Sequence, residues 1–384
     1  MRKVLGVTGI RSEYDIMSSV FAAIDARDDL DLELIVTGAH LSDTYGHTVD
    51  EIEADGYKIA ARIPSLVETD SLGGRVSGLG AQIVAMVEVI ECINPDFLLV
   101  LGDREESMST ALLGAYLNVP VAHIAGGDRV VGNVDDQVRH AVTKLAHLHF
   151  VTNSESAERI RRLGEQEFRI FDFGNPGLDR LVREEPMPKA ELIKSLGLPI
   201  SVEDPILLLI QHVISTEAEQ GYAQMVETLA AIKDMGVQAV LSYPNSDAGS
   251  GGIIKAIEEY RNTPNLAIFN NIPRAEFVSL MKHAACMLGN SSAGVLEAPA
   301  LGLPVVNVGN RQKGRLHAEN IEFVPHDRVA IAKAVQRAVF DDEYRAQVAA
   351  CINPYGDGTA SNKIAETLAT IELGDELLIK DITY

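Results

Sequence analysis

Two serines and a glutamate in the stretch "GNSSAGVLEAP", residues 289–299, have the types and spacing of an anion-binding site. They follow an apolar segment and stand where a helix must begin, and a helix N-terminus attracts anions through its dipole and its unpaired N–H groups. Ser291 and Ser292 offer more donors than a simple cap needs, and two hydroxyls suit a diphosphate better than a lone carboxylate. Glu297, a turn further on, could reach the paired hydroxyls of a ribose. The stretch therefore predicts a nucleotide diphosphate site.

Each residue of this kind also has a purely structural interpretation. Ser12 and Ser292 could simply cap helices, and Glu297 could be a first-turn carboxylate favoured by the helix dipole. His212 could be a hydrogen-bonded residue of the fold, and Asp103 could cap the helix that follows it. The functional interpretation is favoured because such groups recur at corresponding points in both halves of the chain.

The hydropathy pattern shows which elements would position these residues. Short runs that are apolar on both faces alternate with helical patterns, as in parallel sheets covered by helices on two sides. We predict strands at residues 3–9, 32–38, 96–103, 121–127, 148–153, 169–174, 206–212, 239–245, 266–271, 285–290, 304–309 and 321–325. We predict helices at about 13–26, 79–93, 105–117, 135–146, 155–163, 216–235, 251–261, 274–284, 292–301, 327–340 and 360–371.

This alternation predicts an α/β fold of two doubly wound, Rossmann-like domains. At 384 residues the chain exceeds the size, about 250 to 300 residues, at which one core stops growing. We place an N-terminal domain at residues 1–182 and a C-terminal, nucleotide-binding domain at 183–359. A helix and tail at 360–384 could pack back on the N-terminal domain. Two facing sheets would enclose a deep interdomain cleft.

The residues that follow the predicted strands are candidates to line this cleft, because open parallel sheets bind ligands beyond the carboxyl ends of their strands. In the N-terminal half these candidates are Arg11, Asp103 and Asp135. In the C-terminal half they are His212, Asn245, Phe277 and Arg311, in addition to the serine pair and Glu297.

Composition and charge exclude several classes of partner. The formal net charge of −22 repels nucleic acid and anionic membranes. We find no apolar run of the roughly 18 residues that span a bilayer, and the N-terminus is unlike a signal peptide, so we predict a cytoplasmic protein without a membrane partner. No G-x-G-x-x-G follows the first strand and no P-loop motif occurs, so we expect no cofactor.

Cysteine and histidine spacing gives no sign of a disulfide framework or a metal site. Cys92, Cys286 and Cys351 are far apart and have apolar neighbours, which indicates reduced core thiols. We interpret the scattered His40, His47, His147 and His149 as structural residues.

The assembled motifs resemble the UDP-N-acetylglucosamine 2-epimerase family. The resemblance covers about residues 3 to 340 in unbroken order, and "NPYGDG" at residues 353–358 also matches. The motifs that carry it are "TGIRSEYD", "GDREE", "VAHIAGGD", "DDQVRHAVTKLAHLHFV", "SYPNSDAGS" and "GNSSAGVLEAPALGLPVVNVGNRQKGR". It is closer to the hydrolysing branch, which makes free amino sugars for sialic-acid-like nonulosonates such as legionaminic acid. The resemblance implies a GT-B-like pair of Rossmann-like domains, a UDP-sugar substrate in the cleft, and a homodimer or dimer of dimers.

The resemblance also implies a reaction. Hydrolysing members eliminate UDP to form a glycal and then add water with inversion at C2, most simply converting UDP-N-acetylglucosamine to N-acetylmannosamine and UDP. Carried onto this chain, Asp103 and Asp135 match acid–base carboxylates and His212 helps the diphosphate leave. The nucleotide would be held by Arg11, His212, Asn245, Phe277, Ser291, Ser292, Glu297 and Arg311.

The chain departs from the family pattern at several positions. Ala125 stands where the sialic-acid-pathway enzymes have glutamate, and Asp128 or Glu105 could replace that carboxylate if geometry allows. The loop "DRVVGNV" is one residue longer than in N-acetylglucosamine hydrolases and matches the branch that acts on UDP- or GDP-linked N,N'-diacetylbacillosamine, which often has His at position 125. Val213 and Leu296 replace a usual Pro and a frequent Arg.

Three hypotheses therefore stand beside the simplest one. The substrate could be the bacillosamine-type nucleotide sugar. A glycosyltransferase of the same double-Rossmann architecture would use a similar phosphate site and would require an acceptor sugar. A nucleotide-sugar-binding protein without catalysis is the third, motivated by Ala125.

Overall fold

The structure, a computed structural model, describes residues 1–67, 72–129, 135–198, 201–244 and 249–384. Internal packing divides the chain into two compact units, residues 1–180 with 355–384 and residues 181–354. The domain limits that we drew from the sequence, after residues 182 and 359, stay predictions of where separable domains begin and end.

The strands alternate with helices along both units. The first unit holds β1 (Arg2–Thr8), β2 (Leu30–Thr37), β3 (Ile59–Ile63), β4 (Phe97–Leu101), β5 (Val121–Ile124), β6 (Leu148–Val151) and β7 (Ile170–Asp172). The second holds β8 (Ile206–Ile210), β9 (Gln238–Ser242), β10 (Leu266–Phe269), β11 (Cys286–Gly289), β12 (Val305–Val308) and β13 (Ile321–Val324).

The helices cover these strands. In chain order they are α1 (Arg11–Asp25), α2 (Val49–Ala54), α3 (Leu72–Ile93), α4 (Glu105–Leu117), α5 (Asp135–Leu145), α6 (Ser154–Arg162), α7 (Gly177–Arg183), α8 (Lys189–Ser195), α9 (Gly221–Met235), α10 (Ser250–Glu259), α11 (Arg274–His283), α12 (Ala293–Leu296), α13 (Arg328–Phe340), α14 (Asp342–Ala349), α15 (Ala360–Thr370) and α16 (Asp375–Leu378). Short 3₁₀ helices occur at Gly38–Leu41, Asp43–Tyr45, Glu167–Arg169, Ser215–Gln220 and Ala298–Leu301.

Each unit contains one parallel sheet with the doubly wound strand order. The first sheet runs β3-β2-β1-β4-β5-β6-β7 and the second runs β10-β9-β8-β11-β12-β13. In both, the order reverses between two central strands, β1 and β4 in the first and β8 and β11 in the second. The structure confirms the predicted α/β fold with two Rossmann-like sheets.

The first core shows why its strands are apolar on both faces. Successive side chains of a strand point to opposite faces of the sheet. Val4 of β1 packs in a cluster with Phe21 of α1 and Ile364 of α15, whereas Leu5 packs in a separate cluster with Met86 of α3. Since helices cover both faces, neither side of the strand tolerates a polar residue.

Helix α3 corrects one expectation from the sequence. Gly73–Ile93 has 21 residues and a mean hydropathy of 1.7, enough to cross a bilayer by length and composition alone. The expectation that no segment of this length and composition occurs is therefore wrong. Met86 and Ile90 lie fully buried against the sheet, so α3 serves as a covering helix of the first unit. Its other face leaves Val76 and Val84 exposed, at 69% and 74%.

The cysteine prediction is also only partly right. All three cysteines are free, and Cys286 is buried in β11. Cys92 is exposed near the end of α3 and Cys351 is half-buried after α14. Apolar neighbours in sequence do not reveal which face of a helix a residue occupies, which explains the error.

Other differences lie at element ends and in the least apolar elements. Every predicted strand runs one to three residues too far, because the apolar pattern does not mark the residue at which backbone pairing between strands stops. We did not predict β3, whose half-exposed "IAARI" pattern suits an edge strand, nor the short helices α2, α7, α8, α14 and α16.

The C-terminal tail is attached to the first unit by a buried arginine. Arg169 is fully buried, and its guanidinium donates to the carbonyl oxygens of Glu376 at 2.7 Å, Leu377 at 2.6 Å and Ile379 at 2.8 Å. The hydrogen bonds close the end of α16, where helix carbonyls lack partners within the helix.

A buried charge network binds Lys380, the residue of the tail that follows Ile379. The ammonium group of Lys380 lies 2.7 Å from Glu165 and donates to the carbonyl oxygen of Lys144 at 2.9 Å. Glu165 also accepts hydrogen bonds from Lys144 at 2.6 Å and His149 at 3.2 Å. Burial alone would raise the pKa of Glu165, but these hydrogen bonds outweigh it and lower the pKa to about 2. The tail therefore supplies a cation that the buried carboxylate needs.

We predict that Lys380→Met destabilises the first unit by about 1.5–3 kcal/mol, the usual cost of losing a hydrogen bond to a charged group. The measurement is the free energy of unfolding by urea, followed with circular dichroism. Lys363→Met is the matched control, because Lys363 makes an exposed ion pair with Asp357 and such pairs contribute about 0–1 kcal/mol. Equal effects of the two substitutions would contradict the role of the tail network.

Candidate functional site

In the second unit, the carboxyl ends of β8 and β11 lie side by side at the switch point, where doubly wound sheets bind ligands. The last paired residues are Ile210 and Gly289. Gly289 has φ +118°, and a Cβ atom there would overlap the carbonyl oxygen of Ile210. Only glycine lets the two strands end this close together. His212 and Ser291 therefore leave the sheet from adjacent points.

Asn290 connects these strand ends. It is 1% exposed, its side-chain oxygen accepts from the backbone N–H of His212 at 2.7 Å, and its amide donates to the His212 carbonyl at 2.9 Å. Its own carbonyl accepts from Arg311 at 3.1 Å and from the amide of Gln312 at 2.9 Å. Asn290 thus gathers His212, Arg311 and Ser291 around one point.

Asn290 and Gln312 are not among the site residues that we predicted from the sequence. The available signal was an amide placed directly after an apolar strand and before the serine pair. A buried amide needs hydrogen-bond partners on every side, so its position implies that neighbouring strand ends supply them.

The turn at the serine pair differs from the prediction. Ser291 accepts the Ala293 N–H through its hydroxyl at 3.3 Å and the Gly294 N–H through its carbonyl at 3.2 Å. The N–H groups of this helix start, which we expected to be unpaired and open to an anion, are thus bonded within the turn at Ala293 and Gly294. Helix α12 is also a single turn, because Pro299 lacks the N–H that would continue it. The half-buried hydroxyls of Ser291 and Ser292 stay as the predicted ligands.

The other candidates of this unit are spread around the same edge. Glu297 follows α12 and is half-buried; burial raises the pKa of its carboxyl group, and the charge of Arg274 lowers it in part. Phe277 lies on α11, partly buried against the core beneath that helix. Asn245 lies outside the described residues.

In the first unit, Asp103 follows β4 at the corresponding switch point and is bound by Arg139 of α5. Arg139 is 5% exposed, and it also donates to the carboxylate of Asp136 and the carbonyl of Asp128, both at 2.9 Å. A single buried guanidinium thereby orients the Asp103 carboxylate. The sequence places Arg139 four residues after Asp135 but gives no sign that it binds Asp103.

His123 holds the turn that carries Asp103. Its Nε2 atom lies 2.7 Å from the carbonyl oxygen of Gly102, and the ring is fully buried. Burial lowers the pKa of His123 to about 3, so the neutral ring donates its Nε2–H to that carbonyl. Strand β5 thus fixes the end of β4, and with it the position of Asp103.

Asp135 and Arg11 stand at helix starts on this side. Asp135 is the first residue of α5 and is half-buried, one turn before Arg139. The neighbouring Asp136 binds that arginine. Arg11 is the first residue of α1, with a side chain that is 61% exposed and lies 3.6 Å from Glu51. Ser12 is not the N-cap of α1, since Ile10 occupies that position.

The structure also shows the surroundings of Ala125 and of the two carboxylates suggested as its substitutes. Ala125 follows β5 with φ +60°, a conformation that alanine adopts rarely. The carboxylate of Asp128 accepts hydrogen bonds from Thr152 at 2.6 Å and Ser156 at 2.7 Å. Burial would raise the pKa of Glu105, but its hydrogen bond from Arg75 lowers it. Both suggested substitutes are thus engaged in the fold.

A cavity of about 470 Å³ opens at this edge of the first sheet. The residues that line it follow β1, β2, β3 and β4, and they include Gly9, Gly38, Arg75, Arg104, Glu105 and Glu106. It offers hydrogen-bonding and charged groups of both signs to a ligand. Within the residues that the structure describes, no group of three His, Cys, Asp or Glu is arranged to hold a metal ion.

Comparison with known proteins identifies relatives along the whole chain. A family model described as UDP-N-acetylglucosamine 2-epimerase matches residues 22–369. The UDP-N,N'-diacetylbacillosamine 2-epimerase (hydrolyzing) of Legionella pneumophila is 35% identical over 384 residues, 100% of each chain. The GDP/UDP-N,N'-diacetylbacillosamine 2-epimerase (hydrolyzing) of Campylobacter jejuni is 32% identical and 83% of each chain is covered. The UDP-N-acetylglucosamine 2-epimerase of Neisseria meningitidis is 32% identical over 88% of each chain.

Solved structures share the fold. The crystal structure of a UDP-GlcNAc 2-epimerase from Neisseria meningitidis bound to UDP-GlcNAc matches with a TM-score of 0.79 and 21% identity, covering 95% of this chain and 99% of that chain. The family model spans most of the chain and the sequence relatives cover it at over 30% identity. The chain therefore belongs to the UDP-N-acetylglucosamine 2-epimerase family, and its relatives match the hydrolysing branch of that family.

Proposed function

We propose that this protein is a hydrolysing 2-epimerase that acts on UDP-linked N,N'-diacetylbacillosamine and releases UDP and the free 2-epimeric sugar. The observation that carries this proposal is the full-length similarity to the Legionella pneumophila enzyme of that name. Ala125 and the longer loop at residues 128–134 favour the same substrate class over UDP-N-acetylglucosamine. The Campylobacter jejuni relative is named for both nucleotides, so GDP is the alternative carrier.

In the proposed reaction, a base removes the proton on C2 while the anomeric C–O bond breaks and UDP departs, which leaves a glycal. A proton then returns to the opposite face of C2, and water adds to C1. Negative charge grows on the departing diphosphate, so catalysis needs donors aimed at that oxygen. His212, Ser291, Ser292 and Arg11 are the proposed donors, and Glu297 holds the ribose.

The carboxylates of the first unit are the proposed acid–base groups. Asp103 is held by the buried Arg139 and by the turn that His123 fixes, and Asp135 begins the helix that carries Arg139. This support restricts Asp103 to one orientation, as a proton-transfer group requires. Phe277, Arg311 and Asn245 complete the proposed nucleotide contacts.

The second candidate function is hydrolysis of UDP-N-acetylglucosamine to N-acetylmannosamine and UDP. The Neisseria meningitidis relative, at 32% identity, favours it. Either product would suit the synthesis of sialic-acid-like nonulosonates in the cytoplasm, and both the pathway and the location are part of the proposal. A glycosyltransferase would instead require an acceptor sugar, and a catalytically inactive binding protein would bind UDP without turnover.

We further propose that the protein is a homodimer, either alone or as the unit of a dimer of dimers. Apolar side chains on the outer face of the first unit support a subunit contact there. Val76 and Val84 of α3 are exposed, and so is Tyr116 of the neighbouring α4, at 81%. Patches of exposed apolar side chains are typical of subunit interfaces, and we propose that these three residues belong to one.

A panel of UDP- and GDP-linked amino sugars tests the substrate. We expect the highest kcat/KM with UDP-N,N'-diacetylbacillosamine and, in every productive case, free sugar plus UDP by NMR. Equal or better turnover of UDP-N-acetylglucosamine would reject the proposed sugar in favour of the second candidate. A stable mixture of two UDP-sugars would reject hydrolysis.

Substitutions separate binding from chemistry. Ser292→Ala and His212→Ala should each weaken UDP binding by about 10- to 100-fold, the effect of losing one hydrogen bond to a charged ligand. Asp103→Asn should lower kcat by about 10²- to 10⁴-fold and leave UDP affinity nearly unchanged. Calorimetry with UDP and steady-state rates measure the two effects. Ser195→Ala is the control, because Ser195 is exposed at the end of α8.

The dimer is tested by sedimentation. Val84→Asp places a charge on the outer face of α3 and should convert the dimer to a monomer without loss of helical signal. Val329→Asp is the matched control, since Val329 is 70% exposed on α13 of the other unit. A Val84→Asp protein that sediments like the wild type would contradict the proposed interface.

A further inference from the structure

Two buried carboxyl groups in the first unit have no part in the reaction as proposed so far. Glu13 lies in the first turn of α1 and Glu106 in the first turn of α4, and they are 5% and 4% exposed. These helices follow β1 and β4, the two strands that flank the switch point of the sheet. The pair therefore sits at the edge of the first sheet where Asp103 also lies.

Backbone and side-chain contacts hold the two carboxyl groups together. The Gly9 N–H donates to Oε2 of Glu13 at 3.2 Å, and Nε of Arg104 donates to Oε1 of Glu106 at 3.2 Å. A Cβ atom at position 9 would overlap the Glu106 carboxyl group. Glycine at the end of β1 thus makes room for Glu106 beside Glu13.

One oxygen of this pair shows where a proton must be. Oε1 of Glu13 is buried and, among the described residues, receives no hydrogen bond from any donor. An ionised carboxylate can only accept, so a buried oxygen without a donor is costly. Burial, and after it the charge of Glu106, raises the pKa of Glu13 well above its ordinary value. Protonation lets Glu13 donate to Glu106, so that the pair holds one proton between two carboxyl groups.

The two members of the pair differ in access. Glu106 lines the cavity of about 470 Å³ together with Gly9, Gly38 and Arg104. Glu13 does not line it and lies in the core behind, and Tyr14, the next residue, is buried among apolar side chains. A ligand in the cavity would meet Glu106, and Glu13 would act only through it.

We propose that Glu106 supplies the proton-transfer step that Ala125 cannot perform, and that Glu13 is the positioning residue that keeps a proton available to it. This proposal rests on the proposed function. The other two carboxylates considered for the role are engaged, Asp128 by Thr152 and Ser156 and Glu105 by Arg75.

The step balances as follows. The glycal lies with C2 facing Glu106; the carboxyl O–H bond breaks, a C2–H bond forms, and positive charge develops at C1. The oxygen of a water molecule then bonds to C1, and the proton lost by that water returns to the Glu106 carboxylate. One water molecule has been added across the C1–C2 double bond, and the carboxyl pair has regained its proton.

The main test is the product of Glu106→Gln. We expect UDP and the glycal to accumulate while free amino sugar forms about 10²- to 10⁴-fold more slowly, as followed by NMR, with UDP affinity within a few-fold of the wild type. Glu33→Gln is the control. Glu33 is a similarly buried glutamate; it lies on β2 and binds Lys58, the residue before β3. Wild-type formation of free sugar by Glu106→Gln, or equal loss of glycal and free sugar in a folded variant, would overturn the proposal.

Glu13→Gln provides an independent readout. Glutamine fills the same space but carries no acidic proton, so the variant loses the proton that Glu13, with its raised pKa, holds for the pair. The alkaline limb of the kcat–pH profile should therefore shift to lower pH. The other charged groups that face the pair, Arg104 with Glu105 and Arg75 beyond it, are unchanged in this variant. An unshifted limb would show that Glu13 is only structural.

The wild-type reaction distinguishes failure of the proposed function from failure of the assignment of Glu106 alone. If the wild type releases no UDP from any sugar of the panel, the proposed function has failed and this assignment fails with it. If the wild type releases UDP and free sugar and Glu106→Gln does so equally well, only the assignment of Glu106 has failed.

Discussion

In both units the two central strands end side by side, and the chain leaves them toward opposite faces of the sheet. This constraint opens a crevice beyond the strand ends, so side chains distant in sequence meet there. In the first unit β1 and β4 bring Glu13 and Glu106 to the same edge as Asp103. In the second, β8 and β11 bring His212 to the serine pair.

Buried polar groups then hold these edges in place. Asn290 binds both backbone groups of His212 and receives two donors at its own carbonyl. Arg139 and His123 perform the same task for Asp103 from two other elements. Because a buried polar group is costly when any bond is lost, such residues restrict the groups that contact the ligand to one geometry. The edges are thus rigid where chemistry needs precision.

The fold could be predicted from the sequence because covering a sheet on both faces leaves a continuous apolar run, as at Val4 and Leu5. The positions of the candidate residues could also be predicted, because they are the polar residues that follow these apolar runs. Their partners could not, since contacts such as Arg139 with Asp103 depend on the strand order and on how helix α5 packs. The one-turn helix after Ser292 was also missed, although Pro299 signals its end. The exposed Cys92 shows the same limit, because sequence neighbours do not determine the face of a helix.

The central claim is that the C1–O bond of a UDP-sugar breaks and that water supplies the new C1 oxygen. The most direct measurement is turnover of UDP-N,N'-diacetylbacillosamine in ¹⁸O-labelled water, with mass spectrometry of both products. The account predicts the label in the free amino sugar and none in UDP. Label in the UDP phosphate, or a UDP-linked epimer without free sugar, would contradict it.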